Sequence, residues 1–178
     1  ANDSVLSADN NGVYSVTVTE EVRVTVSGIT YTPDEPDPVR LKGEGTESSP
    51  YLISDLKELR YVADQINAGT NINFILGYYR LENDIDCGGE TIDVIGNGIS
   101  GNSFFGGHFE GNGHKISNYR IESRNGSYAG LFGIVQQYVA PGTAIDDNLG
   151  VIENLTIENF TLDAHAPSSS NVIAGSLV

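Results

Sequence analysis

The sequence predicts an all-β solenoid, one strand–turn–strand unit stacked on copies of itself, and three observations predict it. The first is a repeat. The stretch FFGGHFEGNGHKISNYRIESRNGSYAGLFGIV, from Phe104 to Val135, holds two strand-like runs, Ile116 to Ile121 and Ala129 to Val135, separated by glycine turns. Its core returns as GVIENLTIENFTL…NVIAGSLV between Gly150 and Val178. Ile116-Ser117-Asn118-Tyr119-Arg120-Ile121 aligns with Ile152-Glu153-Asn154-Leu155-Thr156-Ile157 as I-x-N-Y/L-x-I, and Ala129-Gly130-Leu131-Phe132 aligns with Ala174-Gly175-Ser176-Leu177. The second is glycine, 21 of 178 residues where about 7% is usual; residues free to take positive φ suit a chain of many tight turns. The third is that Thr, Val, Ile and Tyr fill the runs between turns, which favours strands. Apolar residues at repeated positions then stack at strand spacing, about 4.8 Å. The Asn at the third position is expected to ladder inside a turn.

The elements follow in order. Between Val13 and Ile29, Tyr14, Val16 and Val18 alternate with polar residues, then Val22, Val24 and Val26 do the same across Thr19-Glu20-Glu21. That period of two predicts a hairpin. Two strands alone are marginal in water, so residues 1–32 read as a segment that pairs with something else. TPDEPDPV, from Thr32 to Val39, has three prolines and three acids and suits neither a helix nor a central strand. Residues 33–42 are therefore a stiff solvated linker, and residues 43–178 a second domain. Asp55 to Gly69 is the one expected helix. Asp55 and Glu58 make a capping-box-like start, and Asn67-Ala68-Gly69 a stop. Leu56, Leu59, Ala63 and Ile66 share one face, flanked by Tyr61 and Val62. Such a helix ahead of stacked coils covers their open hydrophobic end. From Tyr78 the chain reads as short strands and turns, with an insertion around Ala166 to Ser170 projecting as a loop.

PYLISDLKELRYVADQINAG, YYRLENDID, VIGNG, FFGGHFEGNGHKISNYRI and AGLFG together resemble the GLUG-motif β-helical proteins, surface and adhesin-like proteins found especially in Bacteroidetes-type bacteria. The same module resembles the β-helical regions attached to bacterial immunoglobulin A proteases. The resemblance covers about residues 43 to 178. It implies a right-handed parallel β-helix whose N-terminal α-helix is the end cap. Glu110 stands where Asp is more usual, Tyr119 where Leu is, and Cys87 where an aliphatic residue is. The second AG-x-L-V unit stops at Val178, and the chain starts at Ala1 with no Met; it is expected to be a piece of something longer, truncated at its C-terminal end. The hairpin at 1–32 resembles the closing strands of a β-sandwich repeat.

A net charge of −15 with nine Lys and Arg argues against nucleic acid and against an anionic membrane surface. No apolar run approaches the roughly 20 residues of a membrane span. One cysteine, Cys87, permits no internal disulfide and reads as a small buried hydrophobe. Asp84 and Asp86 form a D-x-D pair. It reads as a turn whose carboxylates bond local N–H groups, with a calcium ligand pair or paired-carboxylate catalysis as the alternatives. His108 and His114 flank Glu110 in H-x5-H form, but on a turn, where Asn112-Gly113 signals type I′. His114 is expected to bond backbone in an adjacent coil, His165 has no evident partner, and no metal is assigned. There is no G-x-S-x-G elbow, H-E-x-x-H helix or phosphate loop.

The expected function is non-enzymatic: a cell-surface, outer-membrane-attached or secreted adhesin or stalk that binds host surface proteins or glycans. Binding would run along a face or through the 136–150 and 163–172 loops, with Tyr128 and Tyr138 as glycan-stacking surface. No cofactor is expected, calcium being the one candidate. Two alternatives stand beside it. One is a lyase or glycosidase using Asp84, Asp86 and Glu110, by fold analogy. The other is the accessory β-helix of a surface protease whose peptidase lies elsewhere.

Overall fold

A computed structural model describes residues 39–99, 101–123, 128–137, 150–164 and 173–177, all in the unit Pro38–Val178. The hairpin expected at 13–29, most of the linker, and most of the 136–150 and 163–172 loops lie outside the described residues. The linker's last residue, Lys42, pairs antiparallel with Leu52.

The chain runs through β1 (Tyr51–Ile53), α1 (Leu56–Ala68), α2 (Ile72–Ile75), β2 (Tyr78–Leu81), β3 (Ile85–Asp86), β4 (His108–Glu110), β5 (Lys115–Ser117), β6 (Arg120–Ser123), β7 (Tyr128–Ala129), β8 (Val151–Glu153), β9 (Thr156–Glu158), β10 (Thr161–Ala164) and β11 (Ile173–Ala174). Among these strands every pairing is parallel and none is a hairpin: β1-β2-β4-β8, β3-β5-β9, β6-β10 and β7-β11. Parallel bridges Thr91–Arg120, Ile95–Phe132 and Phe105–Val135 continue the pattern. The chain thus visits each sheet in turn and comes back to it one pass later. The architecture is β-rich, with parallel sheets as the sequence predicts.

Register puts the same inward position in line on every pass. Tyr51, Tyr79, Phe109 and Ile152 form one column, and Ile85, Ile116 and Ile157 a second. Tyr79 and Phe109 stack with ring centroids 6.3 Å apart, and Phe132 meets Phe109 edge-on at 5.3 Å. Tyr119 stacks on Phe160 at 5.7 Å. Offset and edge-to-face pairs of this kind add to what area burial alone supplies. Side chains alternate between the two faces of a strand, so the flanking Tyr78, Arg80, His108 and Glu110 are left facing outward.

The register corrects half of the expected repeat. Ala129 does pair with Ala174. Ile116, however, pairs with Ile157, and Ile152 with Phe109; the I-x-N match was one corner out. The cause is that Ile152-Glu153-Asn154 and Ile157-Glu158-Asn159 both read I-E-N, and both end on an Asn at positive φ, 52° and 48°. The run from Ile116 to Ile121 is likewise two strands, broken where Asn118 takes φ 55°. Asn tolerates this left-handed conformation better than other non-glycine residues. At the ladder position, the Asn118 side chain donates to Asp86 (2.8 Å).

The helix forms where its caps place it. Asp55 accepts from the Glu58 N–H, Glu58 accepts from the Ser54 N–H, and Gly69 closes the helix at φ 67°. Val62 is fully buried beside Leu59, Ala63 and Ile66, whereas Leu56 is only half-buried. This face joins the core formed by Ile53, Tyr79, Leu81 and Ile95. The second helix, α2, was not foreseen. Four residues show no periodicity; Asn71 caps it, and the Tyr79 hydroxyl donates to the Phe74 carbonyl.

Cys87 is buried in the same core, and that burial, before any charge effect, pushes its thiol up to about 11. The thiolate is the reactive form, so Cys87 is expected to resist iodoacetamide at pH 8 while folded and to react at once in denaturant. Rapid labelling of the folded chain would show that the core is not closed around it.

Candidate functional site

The two carboxylates of the D-x-D pair take different partners. Asp84 Oδ1 accepts from His114 Nδ1 (3.0 Å) and from the Lys115 N–H (3.2 Å). Asp86 Oδ1 accepts from Asn118 Nδ2 (2.8 Å) and from the Gly88 N–H (2.9 Å). Each carboxylate ties its own turn to the next pass. His114 therefore bonds a side chain rather than the backbone expected for it, while its carbonyl accepts from the Thr156 N–H. The Asn112-Gly113 turn is as predicted, with φ 54° and 76° and a His114 N–H to Gly111 carbonyl bond of 2.8 Å.

These bonds lower both carboxyl pKa values, the side-chain donors His114 and Asn118 first and the backbone donors next. A group with a depressed folded pKa adds stability above its unfolded value, about 3.9, and loses it as pH falls through the folded one. Urea midpoints are therefore expected to hold from pH 7 to 5 and to drop below about pH 4. The double variant Asp84→Ala/Asp86→Ala should be less stable at pH 7 and converge on the parent at low pH. A constant gap at all pH values would show that the bonds do not depend on charge.

The structure separates the two histidines of the H-x5-H pattern and gives His108 a different partner. His108 Nε2 lies 2.8 Å from Glu153 Oε1, a residue of β8. Register sets Glu110 directly opposite Glu153, and one donor atom from each of His108, Glu110 and Glu153 lies within 4.8 Å of the others. Glu110 is held by the Asn112 N–H (2.5 Å) and by Asn154 Nδ2 (3.0 Å). The His108 ring stacks on Tyr78 at 5.4 Å. Sequence reasoning missed Glu153 because only the strand register brings it beside His108; the shared G-x-x-E of Gly107–Glu110 and Gly150–Glu153 was the available signal.

Tyr128 is half-buried on β7, with its ring beside Gly98. Tyr138 and His165 lie outside the described residues. A cleft of about 10 Å³ between α1 and the core, lined by Leu59, Arg60, Ala63, Ile92, Asp93, Ile95 and Leu131, has room for no more than a water molecule. Among the described residues no helix is long and apolar enough to cross a membrane.

No family model and no solved structure matches this chain. Two curated proteins are similar to it. A Gly-rich membrane protein of Evansella cellulosilytica is 30% identical over 135 residues, covering 65% of this chain and 15% of its own length. Halomucin of Haloquadratum walsbyi is 32% identical over 129 residues, covering 67% of this chain and 1% of its own length. The chain therefore spans a small part of either relative.

Proposed function

We propose that the chain is a capped right-handed parallel β-helix serving as a non-enzymatic scaffold in a secreted or cell-surface protein, a stalk or adhesin that presents its outer faces to host surface proteins or glycans. One observation carries this reading: each strand pairs in parallel with its counterpart one pass along, so that the same inward position is filled again and again. Right-handedness follows from the rule for parallel crossovers. The apolar face of α1, entering the core directly after the edge strand β1, suits the capping of the first coil. The resemblance to GLUG-motif proteins agrees with both.

The surface location is supported by the relative named as a membrane protein; the net charge of −15 speaks only against a nucleic-acid partner. A non-catalytic role is supported by the turn duties of Asp84 and Asp86, whose Oδ1 atoms each accept two bonds that tie a turn to the next pass. The test is binding of the intact protein to a glycan array, to immobilised matrix proteins and to cells. Saturable binding to at least one of these, weakened by Tyr128→Ala, is the expected result; background signal throughout would sink the adhesin assignment. Polysaccharide cleavage that disappears on replacing Asp84, Asp86 and Glu110 by alanine would overturn the non-enzymatic one.

A further inference from the structure

We infer that His108, Glu110 and Glu153 form a binding site for a divalent first-row transition ion, with Zn²⁺ the most suitable, on the outer face of the β4–β8 sheet.

The site is built by register. Glu110 and Glu153 are direct cross-strand partners on adjacent parallel strands, so both carboxylates leave the same face. Like charges placed directly opposite are destabilising, and among the described residues no Lys or Arg forms an ion pair with either carboxylate, His108 alone reaching Glu153. Arg80, the register partner of Glu110 on its other side, turns its fork to Glu82 instead, with Nε and Nη2 at 3.0 and 2.9 Å from one carboxylate oxygen. His108 completes the set from two residues before Glu110, its ring steadied by Tyr78 and its Nε2 already against Glu153.

The donors also have the outer support that metal ligands use. The Asn112 N–H and the Asn154 side chain each hold one oxygen of Glu110. Both bonds orient the carboxylate while leaving each oxygen a free lone pair. Bonds of about 2.0–2.2 Å to imidazole and carboxylate need the present 4.8 Å spread to tighten. Glu110 is half-buried and Glu153 exposed, so their rotamers have room to do so. One imidazole and two carboxylates suit Zn²⁺ and its neighbours; Ca²⁺ asks for six to eight oxygens, more than this face supplies. Three protein donors leave a fourth position for water or for a ligand.

Isothermal titration of the folded chain with ZnCl₂ tests the site. One equivalent is expected to bind, with His108 ring proton resonances shifting and those of His114 unmoved. His108→Gln and Glu153→Gln should each weaken binding at least about tenfold, since losing even a supporting group costs that much. His114→Gln should leave it unchanged. Both key side chains lie at the surface, so circular dichroism should show the variants folded; if one does not fold, the other carries the test. Absence of binding at millimolar ZnCl₂, binding that survives either substitution, or binding lost with His114 overturns the assignment.

Discussion

Gly107→Ala is expected to cost about 3 kcal/mol of folding stability, the upper end of what a single inserted methyl group does in a packed interior. A Cβ at this position would stand 2.1 Å from the Gly77 carbonyl oxygen and 3.0 Å from the Gly77 nitrogen. Both obstacles are backbone, and that backbone is committed: the His108 N–H donates to the Gly77 carbonyl at 3.0 Å. The same bond recurs from pass to pass, with the Tyr78 N–H on Gly45 (3.0 Å) and the Val151 N–H on Gly107 (2.8 Å). Gly77, Gly107 and Gly150 each stand immediately before the strand of the main sheet, so the passes approach one another through a column of glycines. Gly101→Ala is the matched control. It has open space around its Cβ and no positive φ, and its effect should fall within about 0.5 kcal/mol of zero or be slightly stabilising. Urea unfolding of the two variants measures the difference. Equal effects would mean that the glycine column is not a packing constraint.

That column shows how far the sequence could be read. Gly77-Tyr78-Tyr79-Arg80, Gly107-His108-Phe109-Glu110 and Gly150-Val151-Ile152-Glu153 are three copies of one entry into the main sheet. They escape notice because the inward residue changes from Tyr to Phe to Ile and the spacing between copies is uneven. The I-E-N doublet of the fourth pass is the more visible signal, and it misplaces the register by one corner. α1 was legible because periodicity and both caps are local properties of the chain. The Asn112-Gly113 turn was legible for the same reason, since two positive φ values in succession strongly favour Asn-Gly. Of the candidate metal site, His108 and Glu110 stood out through the H-x5-H pattern, but Glu153 did not. His108 and Glu153 are brought together by strand pairing alone, and no spacing rule within one segment anticipates a partner from the next pass. Asp84 and Asp86 show both sides of this. The turn reading reached the Asp86 bond to the Gly88 N–H, two residues away, but not the partners one pass along, His114 for one and Asn118 for the other.

Phe109→Ala is expected to be the most damaging single truncation, about 3–5 kcal/mol. Its ring is fully buried and sits where two kinds of packing cross. Along the stack it lies between Tyr79 and Ile152; within its own pass it meets Phe132 edge-on. Phe132 in turn packs against Phe105 at 5.2 Å, so a cavity at Phe109 removes support from both directions. The surroundings are ill placed to collapse into it, because β4 is pinned by parallel pairing on both sides, to β2 and to β8. Relaxation is what keeps such losses small, and a site that cannot relax lies toward the upper end of the range. Phe160→Ala provides the contrast. That ring is only half-buried on the last described pass, with Tyr119 as its stacking partner, and its loss should cost roughly half as much, about 2 kcal/mol. Where stability is a sum of unit and nearest-neighbour terms, the two variants should also differ in where they loosen the structure. Amide exchange in Phe109→Ala should accelerate at Val151, whose N–H reaches back to Gly107, and at His108, whose N–H reaches back to Gly77. In Phe160→Ala the faster exchange should be confined to Thr161 and its neighbours. A loss below about 1 kcal/mol at Phe109, or faster exchange on one side of it only, would show that the aromatic column does not couple the passes.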